Sequence, residues 1–423
     1  MSPARDGLSS ALQNIVVVEV GDERCEFAGL LLSSLGAEVI KLEPRQGSPS
    51  RRLGPFAGPT PDPEHSLCFW RYNLGKKSVT LDIDHPAAQQ VLEKLAMRAD
   101  VIIDSGEAKA ISDRLSSYHT LREKNQNLLV CSITPYGLDG PYCDFKASDL
   151  TQLAMGGVMA VCGNDPRADG TYDTPPIAPG MWHSYHLASE FAVVSIMAAL
   201  NFRELTGEGQ FIDVSIHEAV NTCTEVAMPT YIYAGMVVKR QTSRHAAHVL
   251  TRPWLHRSAD GGYVNATVTP FEREFRALVS LLDESGIEHD LRSDAYADQK
   301  KRSTSRVQAH INEVIDKLIA SMPAEAAFHK AQAKGIGWAY VRRPEENLDD
   351  PHFQARGSFT PIHQPEIGRD LYYPASVATD GKDRVMGPKG RAPHLGEHTR
   401  EVLLSLGFSG SEIADLASQG VFH

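Results

Sequence analysis

The sequence predicts an α/β protein with a mostly parallel, Rossmann-like sheet in a large domain and a smaller domain inserted into it. Three observations carry the prediction. Short β-branched apolar runs recur through the first half of the chain, each of a length suited to a strand buried on both faces. Helical stretches separate them at the spacing of βαβ units, which implies parallel pairing with helices on both faces of the sheet. A long stretch near residue 190 is apolar nearly all round, and a helix of that kind belongs inside a protein.

The elements follow in order. Residues 14–20 (NIVVVEV) read as the first strand and residues 26–35 as a helix closed by Gly36 at its C-terminal cap. Residues 37–43 form a second strand that stops at Pro44, before a loop rich in Pro, Gly and Arg that runs to about residue 64. Residues 78–82 make a third strand. The helix over 86–98 has Pro86 in its first turn, where a missing N–H costs nothing. Residues 101–104 and 128–133 continue the sheet. The long helix spans 182–205, with Ala at 188, 192, 198 and 199, and the turn Thr206-Gly-Glu-Gly-Gln210 leads into a strand over 211–216. From about residue 221 the character changes. A polar and basic connector (238–257), a hairpin-like Asp260-Gly-Gly-Tyr263 and charged helices around 270–283 and 305–333 suggest the smaller domain. The expected division is 1–220 for the first part of the large domain, 221–344 for the small domain, and 345–423 for a C-terminal return that includes a helix from Gly396.

Composition narrows the function. The 423 residues carry a net charge of −11, so no basic stripe offsets nucleic-acid phosphate. No window reaches the roughly 20 uninterrupted apolar residues of a membrane span, and no apolar stretch of signal-peptide length precedes Asn14. A cytoplasmic protein is expected. The six cysteines form no CxxC pair. His183 and His186, like His245 and His248, are three apart with nothing to complete a ligand set, so no metal is expected. The text after the first strand, Gly21-Asp-Glu-Arg-Cys-Glu-Phe-Ala-Gly29, is not a dinucleotide fingerprint, and a pyrophosphate there would face Asp22, Glu23 and Glu26.

Six segments in order, LGAEVIKLEP (35–44), NLGKKSVTLDI (73–83), GLDGP (137–141), ASDLTQLAMGG (147–157), IMAALNFRELTGEGQ (196–210) and LGEHTREVL (395–403), resemble the class III CoA-transferases. That family includes formyl-CoA and carnitine CoA-transferases and the related α-methylacyl-CoA racemases. The resemblance implies an interlocked dimer in which each chain passes through a ring formed by the other. Active sites would lie between the large domain of one chain and the small domain of its partner. It also implies carboxylate catalysis: an Asp attacks the donor thioester to give an anhydride, CoA thiolate returns to give an aspartyl-CoA thioester, and CoA passes to the acceptor acid. Backbone N–H groups of a glycine-rich loop would stabilise the oxyanions. No tightly bound cofactor follows; CoA and acyl-CoA are substrates.

The chain departs from that pattern at the chemistry. The family's nucleophile stands about twenty residues before the T-G-x-G-Q turn, and aligning on residues 198–200 and 206–210, with Pro175 and Pro176 upstream, puts Tyr185 in its slot. No Asp occurs over 179–191, and a phenol of pKa about 10 is a poor acyl carrier. Arg24-Cys25-Glu26 replaces the usual A-G-P, Asp104-Ser-Gly-Glu-Ala-Lys109 replaces E-N-x-R-P-G, and residues 240–257 hold no glycine. Ser148 precedes Asp149 where the racemases carry His-Asp, so racemase chemistry is not expected. Trp182, His183, Tyr185 and Asp149 remain as substrate-pocket candidates, and Lys76 and Lys77 match a family position near the CoA phosphates.

The expectation is a non-catalytic subunit of a heteromeric CoA-transferase, with succinyl-CoA as donor and an aryl acid such as benzylsuccinate as acceptor. A homologous catalytic chain, in a heterodimer or heterotetramer, would keep the Asp and most of the CoA contacts. Trp182, Tyr185 and the aromatics at Tyr231 and Tyr233 would suit an aryl substrate. The alternatives are a homodimeric CoA-ester lyase or hydratase using His183, His186 or Tyr185 as acid or base, and a non-enzymatic homologue.

Overall fold

Each β-branched run of the first half becomes a strand of one sheet. In this computed structural model, which describes residues 10–106, 108–224, 226–375, 378–380, 383–384 and 386–422, the strands are β1 (Val16–Val20), β2 (Glu38–Glu43), β3 (Lys77–Thr80), β4 (Val101–Ser105), β5 (Leu129–Thr134) and β6 (Phe211–Ser215). Their order is β3-β2-β1-β4-β5-β6, parallel throughout, with Val18 opposite both Ile40 and Ile102. The order reverses at β1 and β4, so their carboxyl ends open a crevice of the kind that binds ligands in doubly wound sheets.

Between the strands run α1 (Glu26–Ser34), α2 (Leu67–Tyr72), α3 (Gln89–Arg98), α4 (Ala108–Lys124), α5 (Asp149–Met155) and α6 (His183–Thr206), with α7 (Ile216–Thr222) after β6. One sheet face carries Val18, Val20, Ile40, Leu42, Val79, Ile102 and Val130, covered by Val91 and Leu95 of α3 and by Tyr118 and Leu121 of α4. Helices α1 and α6 pack against each other, and α6 lies along β5 and β6.

Helix α6 corrects one expectation. Its Ala188, Ala192, Ile196 and Ala199 are buried, but Phe191, Val194, Met197, Phe202 and Leu205 form an exposed apolar stripe, with Leu205 79% exposed. Apolarity all round does not mean burial all round within one chain. By length and composition alone α6 could cross a membrane. Its inner face packs on a sheet, however, and Arg203 is buried there on the Asp100 carboxylate at 2.9 Å, as in a core helix.

The chain divides into two compact units. The first gathers the sheet, Ala178–Thr224 and everything from Pro351 onward; the second takes Met159–Ile177 and residues 226–350. The second unit holds α8 (Ala227–Ala234), an antiparallel sheet of β7 (Leu255–Arg257), β8 (Tyr263–Asn265) and β9 (Ala339–Tyr340), and α9 (Glu272–Glu284), α10 (Gln299–Arg302), α11 (Ser305–Ala320) and α12 (Ala324–Ala333). Its core is built on Val264, Leu278, Ile315, Leu318 and Trp338. The stretch 305–333 is two helices, because Pro323 cannot continue α11 and instead stands as N-cap of α12. After residue 350 come α13 (Pro351–Ala355), the hairpin β10 (Phe359–Gln364) and β11 (Arg369–Pro374), α14 (Thr399–Ser405) and α15 (Gly410–Ser418). The LGEHT segment binds the edge strand β3: Gly396 N–H donates to Ser78 Oγ, His398 N–H to the Ser78 carbonyl, and Thr80 N–H to Thr399 Oγ1, at 2.9, 2.9 and 3.1 Å.

The candidate active site at the start of helix α6

The loop after β1 stands at the crevice where the strand order reverses. Gly21 adopts φ +142°, and a Cβ there would fall 2.2 Å from Ser105 Oγ, so only glycine lets the ends of β1 and β4 approach this closely. Asp22 is held by that contact: its N–H donates to Ser105 Oγ, and Ser105 O–H to Asp22 Oδ1, both at 3.2 Å. Glu23 follows, with one carboxylate oxygen buried and without a hydrogen-bond partner among the described residues. Burial, then the charge of Asp22, pushes the Glu23 carboxyl above the usual carboxylate range.

Helix α6 brings Tyr185 to this loop. Tyr185 is 6% exposed. Burial, with the negative charge of Glu23 and then of Asp22 and Asp149, raises its phenol to about 12, against a smaller opposing effect of Arg24. One residue on, His186 Nε2 meets the Tyr72 hydroxyl at 2.8 Å, and its ring lies 4.3 Å from that of Phe27. Burial, then the positive charges of Arg71 and His183, lowers His186 to about 4, so the imidazole is neutral at physiological pH. Trp182 lies 5.1 Å from Tyr72 and 6.3 Å from Tyr185, ring centre to ring centre. Asp149 Oδ1 accepts from the Ser184 N–H at 2.9 Å and the Ser184 hydroxyl at 2.7 Å.

The structure therefore brings Trp182, Tyr185 and Asp149 together. His183 is exposed, its ring 6.4 Å from that of His186. Phe27, Tyr72 and Ser184 complete the cluster without a sequence signal of their own, although Tyr72 stands directly before the matched segment 73–83.

The lysines lie elsewhere, and the phosphate role expected of Lys76 does not fit its setting. Its ammonium is fully buried and donates to Glu19 Oε2, the Glu26 carbonyl and Asn73 Oδ1 at 2.7, 2.9 and 2.9 Å, which uses all three N–H donors. Lys77 is bound between Glu38 at 2.9 Å and Glu401 at 2.7 Å. The connector of the second unit likewise turns cations inward. Arg244, buried, pairs with Asp165 at 2.9 Å, and Arg240 lies 3.9 Å over the Tyr172 ring. Tyr231 and Tyr233 are exposed on α8. No cluster of His, Cys, Asp and Glu suited to a metal ion occurs among the described residues.

Chemically, Tyr185 is a poor acyl carrier. The phenol stays protonated at neutral pH, the neighbouring imidazole stays neutral, and Asp149 is engaged with Ser184.

Comparison with known proteins bears on the whole chain. The model of CoA-transferase family III matches residues 12–399. The chain is 27% identical over 411 residues to succinyl-CoA:(R)-benzylsuccinate CoA-transferase subunit BbsE of Thauera aromatica, covering 96% of this chain and 97% of that one. It is 28% identical over 406 residues to the succinyl-CoA–L-malate CoA-transferase beta subunit of Chloroflexus aurantiacus, covering 93% and 94%. Among solved structures, a CaiB/BaiF family protein from Brucella suis superposes with a TM-score of 0.79 at 22% identity over 94% of this chain and all of that one, a likeness of fold. With the parallel sheet, its matched segments and this family model in agreement over nearly the full length, the chain belongs to CoA-transferase family III.

Proposed function

We propose that this chain is a subunit of a heteromeric CoA-transferase in which a homologous partner chain supplies the acyl-carrying Asp. The complex would move CoA from succinyl-CoA to a carboxylic acid, with benzylsuccinate the favoured acceptor. The observation that carries the reading is Tyr185: where the family's chemistry needs an acid at the start of α6, this chain has a buried phenol raised to about 12. A protonated phenol is a poor nucleophile toward a thioester unless a base takes its proton as it attacks. The local charge supports the same reading, because Asp22, Glu23 and Asp149 would repel the carboxylate of an acceptor acid. Relatives named as subunits of succinyl-CoA-dependent transferases support both the partner and the donor, and the exposed stripe of α6 suits an interface with another chain. CoA thioesters are the family's substrates, and most of their contacts would lie on the partner.

The test is to purify the chain alone and with a co-expressed homologue that has Asp in the slot of residue 185, then assay CoA transfer from succinyl-CoA. Activity is expected only from the pair; full activity of the lone chain would refute the proposal. A homodimeric lyase or hydratase would work through His183, His186 or Tyr185; Tyr185 is shifted away from neutrality to about 12 and His186 to about 4, while His183 is exposed with its ring 6.4 Å from that of His186.

A further inference from the structure

Helix α6 begins without a cap of its own. The two residues before it, Met181 and Trp182, have φ of 42° and 47°, a left-handed region that side chains with a Cβ rarely adopt. Trp182 holds the N-cap position, where Ser, Thr, Asp or Asn normally accepts from the first turn, and its side chain caps nothing. The acceptor comes from another helix. Asp149 reaches over from α5 and takes both the backbone N–H and the hydroxyl of the buried Ser184 on one carboxylate oxygen.

The mount of that carboxylate is rigid. Asp149 is the first residue of α5, whose Ser148 and Thr151 form a reciprocal capping box. The Gln152 side chain donates to the Pro135 carbonyl at 3.0 Å. Against α7 the packing is so close that a Cβ on Gly156 would lie 2.4 Å from Val220 Cγ1. A negative charge at the positive end of a 24-residue helix also has the favourable sign.

We infer that Asp149 is a positioning residue: its carboxylate stands in for the missing N-cap and fixes the turn that sets Trp182, Tyr185 and His186 against Tyr72 and the loop after β1. Asp149 then holds that turn in place without reacting. The inference rests, for its functional part, on the reading of this turn as belonging to a transferase site, and the experiment separates the two.

The variants are Asp149→Ala, which removes the acceptor; Asp149→Asn, which keeps Oδ1 and removes the charge; and Ser184→Ala, which removes one of the two bonds. The readouts are the emission of Trp182 in the full chain, assigned by difference with Trp182→Phe among the four tryptophans, and the transferase kinetics of the assembled complex. In Asp149→Ala the Trp182 emission should shift to the red, while kcat of the assembled complex, whose acyl-carrying Asp is proposed to lie on the partner, should stay within about twofold. Asp149→Asn should match the parent emission and keep kcat within about twofold, and Ser184→Ala should lie between. Unshifted emission in Asp149→Ala overturns the inference, as does Asp149→Asn with the emission of the alanine variant. Should Asp149→Ala fail to fold, unshifted emission in Ser184→Ala overturns it equally. A shifted emission with a tenfold fall in kcat supports the clamp and overturns the assignment of the reaction to the partner chain.

Discussion

Placing the missing acid at residue 185 would set it among Glu23, Asp22 and Asp149, the charges that already raise the phenol there. Like charges raise a carboxyl pKa and weaken the carboxylate as a nucleophile that must be ionised when the thioester arrives. Tyr185→Asp alone should therefore leave the isolated chain about a hundredfold or more below the assembled complex in CoA transfer. Adding Glu23→Gln should raise the rate and the yield of hydroxamate trapped on residue 185 with hydroxylamine. A single Tyr185→Asp variant as fast as the complex would show that the neighbouring carboxylates do not matter. His186 gives a pH test at the same scale. Its folded pKa is about 4, below the ordinary 6.5, so between those values the unfolded chain binds more protons than the folded one. Stability from this group is present above about pH 6.5 and is lost as pH falls toward 4. In His186→Asn, thermal unfolding between pH 6.5 and 4 should fall less steeply than in the parent, and an equal slope would remove His186 as the cause.

Beneath α1 lies a set of buried charges that a reading of strands as apolar runs does not anticipate. Lys41 Nζ bridges Glu19 and Glu26 at 2.9 Å each, while Arg51 Nε reaches Glu43 at 2.7 Å and Ser78 O–H donates to Glu43 at 2.6 Å. Burial works against ionisation of Glu43, but Arg51, Lys41 and the Ser78 hydroxyl together outweigh it and hold the carboxyl at about 2. Together with Lys76 these are three acids and three bases, and the balance lets the set stay ionised out of water. Lys41→Met leaves Glu19 and Glu26 with one cation between them and should cost about 3–5 kcal/mol in urea unfolding; a loss under about 1 kcal/mol would mean the network relaxes around the gap. The β-branched runs made strands β1 to β6 legible, since residues such as Val17, Val18, Ile102 and Ile103 need burial on both faces. The charges were not legible, because Glu19, Lys41 and Glu43 alternate with apolar residues just as a solvated strand would. Only the fold brings Arg51, Lys76 and Ser78 beside them. The site divides in the same way. Counting from the Thr206 turn points to Tyr185, whereas the charges of Glu23 and Asp149 that act on it come from segments far apart in sequence.

At the scale of the molecule the open question is what covers α6. A stripe of Phe191, Val194, Met197, Phe202 and Leu205 on one helix is a large exposed apolar surface, and such patches commonly mark interfaces. The opposite side of the same helix is fixed by Ala188, Ala192, Ile196 and Ala199 in the core, so a polar residue on the outer side can weaken association without disturbing the fold. Val194, 67% exposed, is the place to separate the two. Val194→Glu should leave the melting temperature of the isolated chain within about 2 °C, as expected for a surface change. It should also abolish co-purification with the homologue proposed to carry the Asp and, with it, transferase activity. Retained complex and full activity would place the partner on another surface, whereas a drop of about 10 °C in the isolated chain would show that Val194 supports the fold of its own subunit.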